Sequence, residues 1–203
     1  MDISMTVEPA MQVYKNRDNK RPQIRQFASF EKEVVYEIEL TMNLHTGTHV
    51  DFPLHTLKEG ATSETLGVDH FVGRAIVMDL SHLQDHISEA DLRGFDIQPD
   101  DFVLLKTRSS LSESFDFDFV YLDLSGAQYL VSKKIRAVGT DALGIERNQP
   151  GHPTHDHLLS QGVMIIEGLR LKDVVPKRYK FIGLPLKIHQ VEALPMRAIL
   201  VDE

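Results

Sequence analysis

The stretch His45-Thr-Gly-Thr-His-Val-Asp-Phe-Pro-Leu-His55 admits few conformations. It packs three histidines and one aspartate into eleven residues, interrupted by Gly47 and Pro53. On a helix, His45 and His49 would share a face, but Asp51 would point about 200° away from His49. Glycine and proline also both oppose a helix interior. In an extended chain, alternate side chains share a face. His45, Gly47, His49, Asp51, Pro53 and His55 then lie on one side. Thr46, Thr48, Val50, Phe52 and Leu54 lie on the other, which can join a core. Gly47 is expected to leave room in the polar row for an ion. Neutral imidazole nitrogens and a carboxylate oxygen converging at about 2.0–2.2 Å are what a zinc-type site requires. This reading takes the whole segment as extended, with Pro53 marking a bend or an edge. Three histidines and an aspartate in one parity class favour a metal site over a strand of ordinary polar residues.

Composition limits the alternatives. A chain of 203 residues suffices for one domain with a sizeable core, and one domain spanning 1–203 is expected. The net charge of −8 argues against a nucleic-acid partner. The short basic cluster Lys172, Lys177, Arg178 and Lys180 reads as a solvated face. No cysteine is present, which removes disulfides, thiolate ligands and a cysteine nucleophile. No signal-peptide pattern and no run of about 18 apolar residues is visible, so a soluble, cytoplasmic protein without a membrane partner is expected.

Along the chain, residues 2–8 alternate and predict an opening strand, and residues 14–23 read as a surface loop. The clearest strand signal is 33–42, where Tyr36, Ile38 and Leu40 alternate with Glu37, Glu39 and Thr41. Further strands are expected at 73–80, 102–107, 137–141, 163–167, 179–184 and 197–201. Ser88 followed three residues later by Asp91 predicts a short capped helix. A second helix is expected from Ser125 as cap to Lys134, and a third from His155 to Gln161, closed by Gly162. The long loop 110–118 is expected to border a substrate. Strands and helices alternate from about residue 73, which suggests a mixed α/β domain with several antiparallel strands.

A second group of residues, His152, His155, His157 and Glu167, could reach one point through a helix–turn–strand unit. From the residues alone, ordinary solvated side chains explain it equally well.

Segment 45–55 matches the HxGTHxDxPxH signature of the cyclase-type metal-dependent hydrolases, a family that includes bacterial kynurenine formamidases and isatin hydrolase. The resemblance covers nearly the whole chain. Val103-Leu-Leu-Lys-Thr107, Val138-Gly-Thr-Asp141, His155-Asp-His-Leu-Leu159 with Ile165-Ile-Glu167, and Leu184-Pro-Leu-Lys187 with Pro195-Met-Arg197-Ala198 resemble further family segments. It implies an α/β fold with a single mixed β-sheet of swivelling β/β/α (cyclase-like) type and flanking helices. It also implies that His45, His49 and Asp51 bind a divalent ion, that His155 and Glu167 complete a second site with Asp51, and that His55 is a catalytic general acid/base. His155 and Glu167 are thereby preferred over His152 and His157. The implied cofactor is Zn²⁺, with Mn²⁺ or Fe²⁺ as alternatives, one or two ions per subunit. The implied partners are a small-molecule amide substrate and further copies of the chain, as a homodimer or homotetramer.

Two departures bear on the substrate. Val13-Tyr14-Lys15-Asn16 stands where kynurenine formamidases carry tryptophan, and Thr107-Arg108-Ser109 replaces a common Thr-Gly-Trp. The expected activity is hydrolysis of an N-formyl or cyclic amide, N-formylkynurenine to kynurenine and formate among them. A ligand-binding relative without turnover is a second reading, which an intact His55 disfavours. A structural zinc protein is a third, disfavoured by the lack of cysteine.

Overall fold

The computed structural model describes residues 1–202. In chain order the strands are β1 (Gln23–Ala28), β2 (Glu37–Thr41), β3 (His49–Asp51), β4 (Val72–Asp79), β5 (His86–Ile87), β6 (Phe102–Lys106), β7 (Tyr121–Leu122), β8 (Ala137–Thr140), β9 (Met164–Glu167), β10 (Arg178–Pro185) and β11 (Ala193–Val201). The helices are α1 (Glu89–Leu92), α2 (Leu124–Ser132) and α3 (Pro153–Ser160).

Seven strands close a mixed barrel in the order β10-β11-β3-β9-β8-β6-β4. The half β4-β6-β8-β9 is parallel, because helical crossovers return the chain to the same end. The half β9-β3-β11-β10-β4 is antiparallel. Both faces of the parallel strands are covered, which explains their unbroken apolar runs. On β4 and β6, Ala75, Val77, Phe102 and Leu104 face a core with Val50, Ile166 and Phe181 that fills the barrel. The alternate residues Ile76, Met78, Val103 and Leu105 pack outward on Leu92, Leu130 and Leu158 of the helices. Among the described residues, no helix is long and apolar enough to cross a membrane.

Helix ends follow local chemistry. Ser88 and Asp91 form the expected reciprocal capping box on α1. Asp123, not Ser125, caps α2: its carboxylate accepts the Gly126 N–H at 2.8 Å, and the Ser125 hydroxyl donates to it instead. Pro153 opens α3, where a missing N–H costs nothing, and Gly162 follows its end at φ +74°.

Several expectations need correction. Residues 2–8 form one bridge, Asp2 to Ile199, not a strand; Ile3 is buried because its N–H donates to the Ala198 carbonyl. The 14–23 loop contains two short 3₁₀ turns and runs directly into β1, an unexpected strand. Its partner β2 is shorter than 33–42 and is exposed along its whole length, in a two-stranded ribbon apart from the barrel. Segment 45–55 pairs as a strand only over His49–Asp51. Gly47 turns the chain at φ +74°, and Pro53–His55 is a 3₁₀ turn.

Candidate metal centre and its pocket

β3 lies between β9 and β11, with His49 directly opposite Glu167 and Asp51 opposite Ala193. Val50 points into the barrel core, so His49 and Asp51, two residues apart, both face outward. Burial nevertheless leaves His49 only 1% and Asp51 0% exposed, because α3 and the loop 143–152 cover this outer face. His155, in the first turn of α3, is delivered onto the same point.

The side chains converge tightly. His45 Nδ1 lies 3.0 Å and His49 Nε2 3.5 Å from Asp51 Oδ1. His49 Nε2 is 3.5 Å from Glu167 Oε2, and His155 Nε2 is 3.5 Å from Glu167 Oε1 and 3.9 Å from Asp51 Oδ2. The His55 ring packs 4.3 Å from that of His45 and 5.5 Å from that of His155, centroid to centroid. The turn that carries His55 depends on Gly60, since a Cβ there would come within 2.3 Å of the Pro53 carbonyl carbon.

Hydrogen bonding decides which atoms are free. His49 Nδ1 is held by the Gly47 carbonyl at 2.9 Å, and His155 Nδ1 by the Glu146 carboxylate. Each imidazole therefore presents Nε2 to the cluster. His49 Nε2 and both Asp51 oxygens are buried with no hydrogen-bond partner, despite the short approaches. Burying such atoms unpaired is costly. The donor set fits a divalent cation: His49, Asp51 and Glu167 form one group of mutually close ligand atoms, and His45, Asp51 and His55 another. Asp51 belongs to both.

Without an ion, the histidines and carboxylates of the cluster shift one another. Burial works to raise the Asp51 and Glu167 carboxyls, but His49, His45 and His155 together outweigh it and hold both below the ordinary carboxylate range. Burial works to lower the His155 imidazole, yet the Glu146 hydrogen bond and the Glu167 carboxylate push it up to about 10. His55 is depressed, chiefly by burial, with His45 adding to the effect, which favours its neutral form.

All six expected residues, His45, His49, Asp51, His55, His155 and Glu167, thus come together. Of the other histidines, His157 is outside the cluster, His189 is exposed beside Glu64, and His152 sits 3.5 Å from Glu146 at the pocket rim. The space beside Gly47 holds no ion: Met11, Val7 and Met5 fill it, with Met11 Cε 3.3 Å from where a Cβ would stand. The glycine is needed for its positive φ. Gly168 is needed beside it, since a Cβ there would lie 2.7 Å from the Gly47 carbonyl oxygen.

Glu146 went unrecognised in the sequence. It is 4% exposed, accepts the Thr154 N–H at 2.7 Å, and fixes both the first turn of α3 and the His155 ring. A buried acid in a loop of Gly and Pro has no periodicity to reveal it. Glu192, 3.4 Å from His45 Nε2, also went unrecognised: it is partly exposed and lies in the irregular segment just before β11. The loop 110–118 does not line the pocket; it touches it only through Phe115, packed edge-on against Tyr14 at 5.3 Å.

A mixed barrel with a buried, hydrogen-bond-deficient histidine–carboxylate cluster on its outer face defines a metal-site protein of α/β class. The family model "Putative cyclase" matches residues 1–147, and the chain belongs to that family. A kynurenine formamidase of Salinibacter ruber is 33% identical over all of this chain and 97% of its own length. A solved structure described as a potential metal-dependent hydrolase with cyclase activity is 44% identical, with a TM-score of 0.92 over 100% of this chain and 97% of that one. Isatin hydrolase A from Labrenzia aggregata shares the fold at a TM-score of 0.88 and 23% identity, over 100% of this chain and 93% of its own.

Proposed function

We propose that this protein is a metal-dependent hydrolase of small amides acting on non-peptide carbon–nitrogen bonds. The observation that carries the reading is the buried triad of His49, Asp51 and Glu167: its ligand atoms face one another, and His49 Nε2 and both Asp51 oxygens have no hydrogen-bond partner, while Glu167 Oε1 accepts the Ile145 N–H at 2.6 Å. The 33% identity to a kynurenine formamidase along essentially the whole of both chains supports the substrate class.

In this reading His45, His49 and Asp51 hold a divalent ion, and Asp51, His155 and Glu167 can hold a second. When bound, such an ion supplies Lewis acidity toward a carbonyl and toward water. Nitrogen and oxygen donors without sulfur suit Zn²⁺ first, with Mn²⁺ or Fe²⁺ as alternatives. Glu146 keeps the His155 ring oriented by accepting a hydrogen bond from its Nδ1–H, and the Gly47 carbonyl does the same for His49. His55, half-buried and neutral, accepts a proton at a ring nitrogen from the attacking water. It then returns that proton to the departing amide nitrogen. Tyr14 and Leu143 offer the organic part of the substrate an apolar wall, and the covering loop limits bulk water.

We further propose a homodimer or homotetramer working in the cytoplasm, without nucleic acid or membrane as partner. The exposed apolar residues of the ribbon support self-association: Phe27 is 69%, Phe30 74% and Val34 92% exposed.

The test is hydrolysis of N-formyl-L-kynurenine by protein loaded with zinc or with manganese, against a chelated control. Metal-dependent release of formate is expected. No turnover by protein that demonstrably holds metal would reject this substrate and turn attention to cyclic amides.

A further inference from the structure

Beside the cluster lies a cavity of about 440 Å³ whose lining includes Tyr14, Lys15, Lys20, His55 and Asn148. Apart from imidazoles, Lys15 and Lys20 are the cations that line it. This is unusual placement in a chain with 30 acidic and 22 basic residues. The Lys20 stem is half-buried, and its ammonium forms no ion pair or hydrogen bond among the described residues. The nearby carboxylates that act on it through space, Glu167, Asp51 and Glu192, are all engaged with the histidines of the cluster. Lys15 Nζ donates to Asn148 Oδ1 at 2.6 Å, which spans the mouth of the cavity without neutralising the charge. Both ammonium groups stand over the Tyr14 ring, at 5.2 and 5.9 Å from its centroid. The ring is itself braced by Phe115.

The backbone here is held in an unfavourable shape. Lys15, Asn16, Asn148 and His152 all have left-handed φ, at 56°, 52°, 61° and 49°. Residues with a Cβ adopt that region singly and at a cost, and such residues gather at ligand sites. The two segments face each other across the cavity, and their shape is what aims Lys15 at Asn148 and the rim at the cluster.

We propose that Lys15 and Lys20 are specificity residues that hold the carboxylate of an N-acyl arylamine substrate. The proposal rests on the hydrolase reading above. The cluster takes the amide end, the Tyr14 wall takes the ring, and the two ammonium groups take the carboxylate through charge-assisted hydrogen bonds. A neutral cyclic amide would leave the Lys20 ammonium without a hydrogen-bond or ion-pair partner and the charge of Lys15 unneutralised.

The test compares formanilide with 4-formamidobenzoate, which differ only by the carboxylate, in metal-loaded wild-type protein and in Lys15→Gln/Lys20→Gln. The wild type is expected to favour 4-formamidobenzoate, and the double variant to lower that kcat/KM ratio at least about tenfold, through KM. Calorimetry with 4-aminobenzoate as an unreactive probe is expected to show a parallel loss of affinity. A ratio and an affinity that stay at wild-type values would overturn the proposal and place the carboxylate elsewhere, on the metal in the first instance. If metal-loaded wild type hydrolyses neither formamide, N-formyl arylamines are rejected as substrates, a failure separate from that of the anion site. The calorimetric comparison then still decides the anion site: a wild-type protein that does not bind 4-aminobenzoate, or binds it no better than the double variant does, contradicts it.

Discussion

The ribbon β1–β2 and the pair β3–β9 reverse what their sequences suggest. β2 has the cleanest alternation in the chain, yet all of Glu37–Thr41 is exposed, with Ile38 and Leu40 each 50% accessible. β3 is polar at two of its three residues, yet His49, Val50 and Asp51 are all buried. Alternation reports that one face is apolar; what covers that face is decided by elements far away in sequence. β2 pairs only with β1. β3 is flanked by β9 and β11 and roofed by α3. Within one chain the apolar residues of the ribbon are therefore left exposed, and the buried polar atoms of β3 are left without hydrogen-bond partners.

That contrast can be broken by substitution. The largest effect is expected at Ile166, the partner of Val50 across β3–β9 and 1% exposed. Ile166→Ala should lower unfolding stability by about 2–5 kcal/mol in denaturant titrations. A smaller effect is expected at Glu146, which touches the cluster only through His155. Glu146→Gln should weaken metal affinity by about 10–100-fold in a chelator competition, since the ring loses its charged acceptor. The smallest effect is expected on the ribbon: at dilutions where the chain is a monomer, Ile38→Ala should change unfolding stability by no more than about 0.5 kcal/mol. A loss at Ile38 equal to that at Ile166 would show that the ribbon is packed against something in solution.

The parallel barrel strands were legible because their two faces are both buried, which writes unbroken apolar runs such as Phe102-Val-Leu-Leu into the sequence. β1 was not legible: Gln23-Ile-Arg-Gln-Phe-Ala is a strand only because β2 pairs with it. Barrel closure was equally hidden, since the contact of β10 with β4 joins segments about a hundred residues apart. In the candidate site, the spacing of His45, His49 and Asp51 was visible directly, and the resemblance added His155 and Glu167. Glu146 and the lysines of the pocket wall act from irregular loops, where no period marks a side chain's direction. The extended reading of 45–55 failed at Gly47, while Pro53 marks the expected bend, and both turns serve to bring His45 and His55 onto Asp51.

The most direct measurement is metal content and N-formylkynurenine hydrolysis, taken together on wild type, Asp51→Ala and His55→Ala. Asp51→Ala is expected to lose both metal and activity. His55→Ala is expected to keep its metal and lose rate by about 10²–10⁴-fold. Full activity in Asp51→Ala would contradict a metal-dependent mechanism at this cluster.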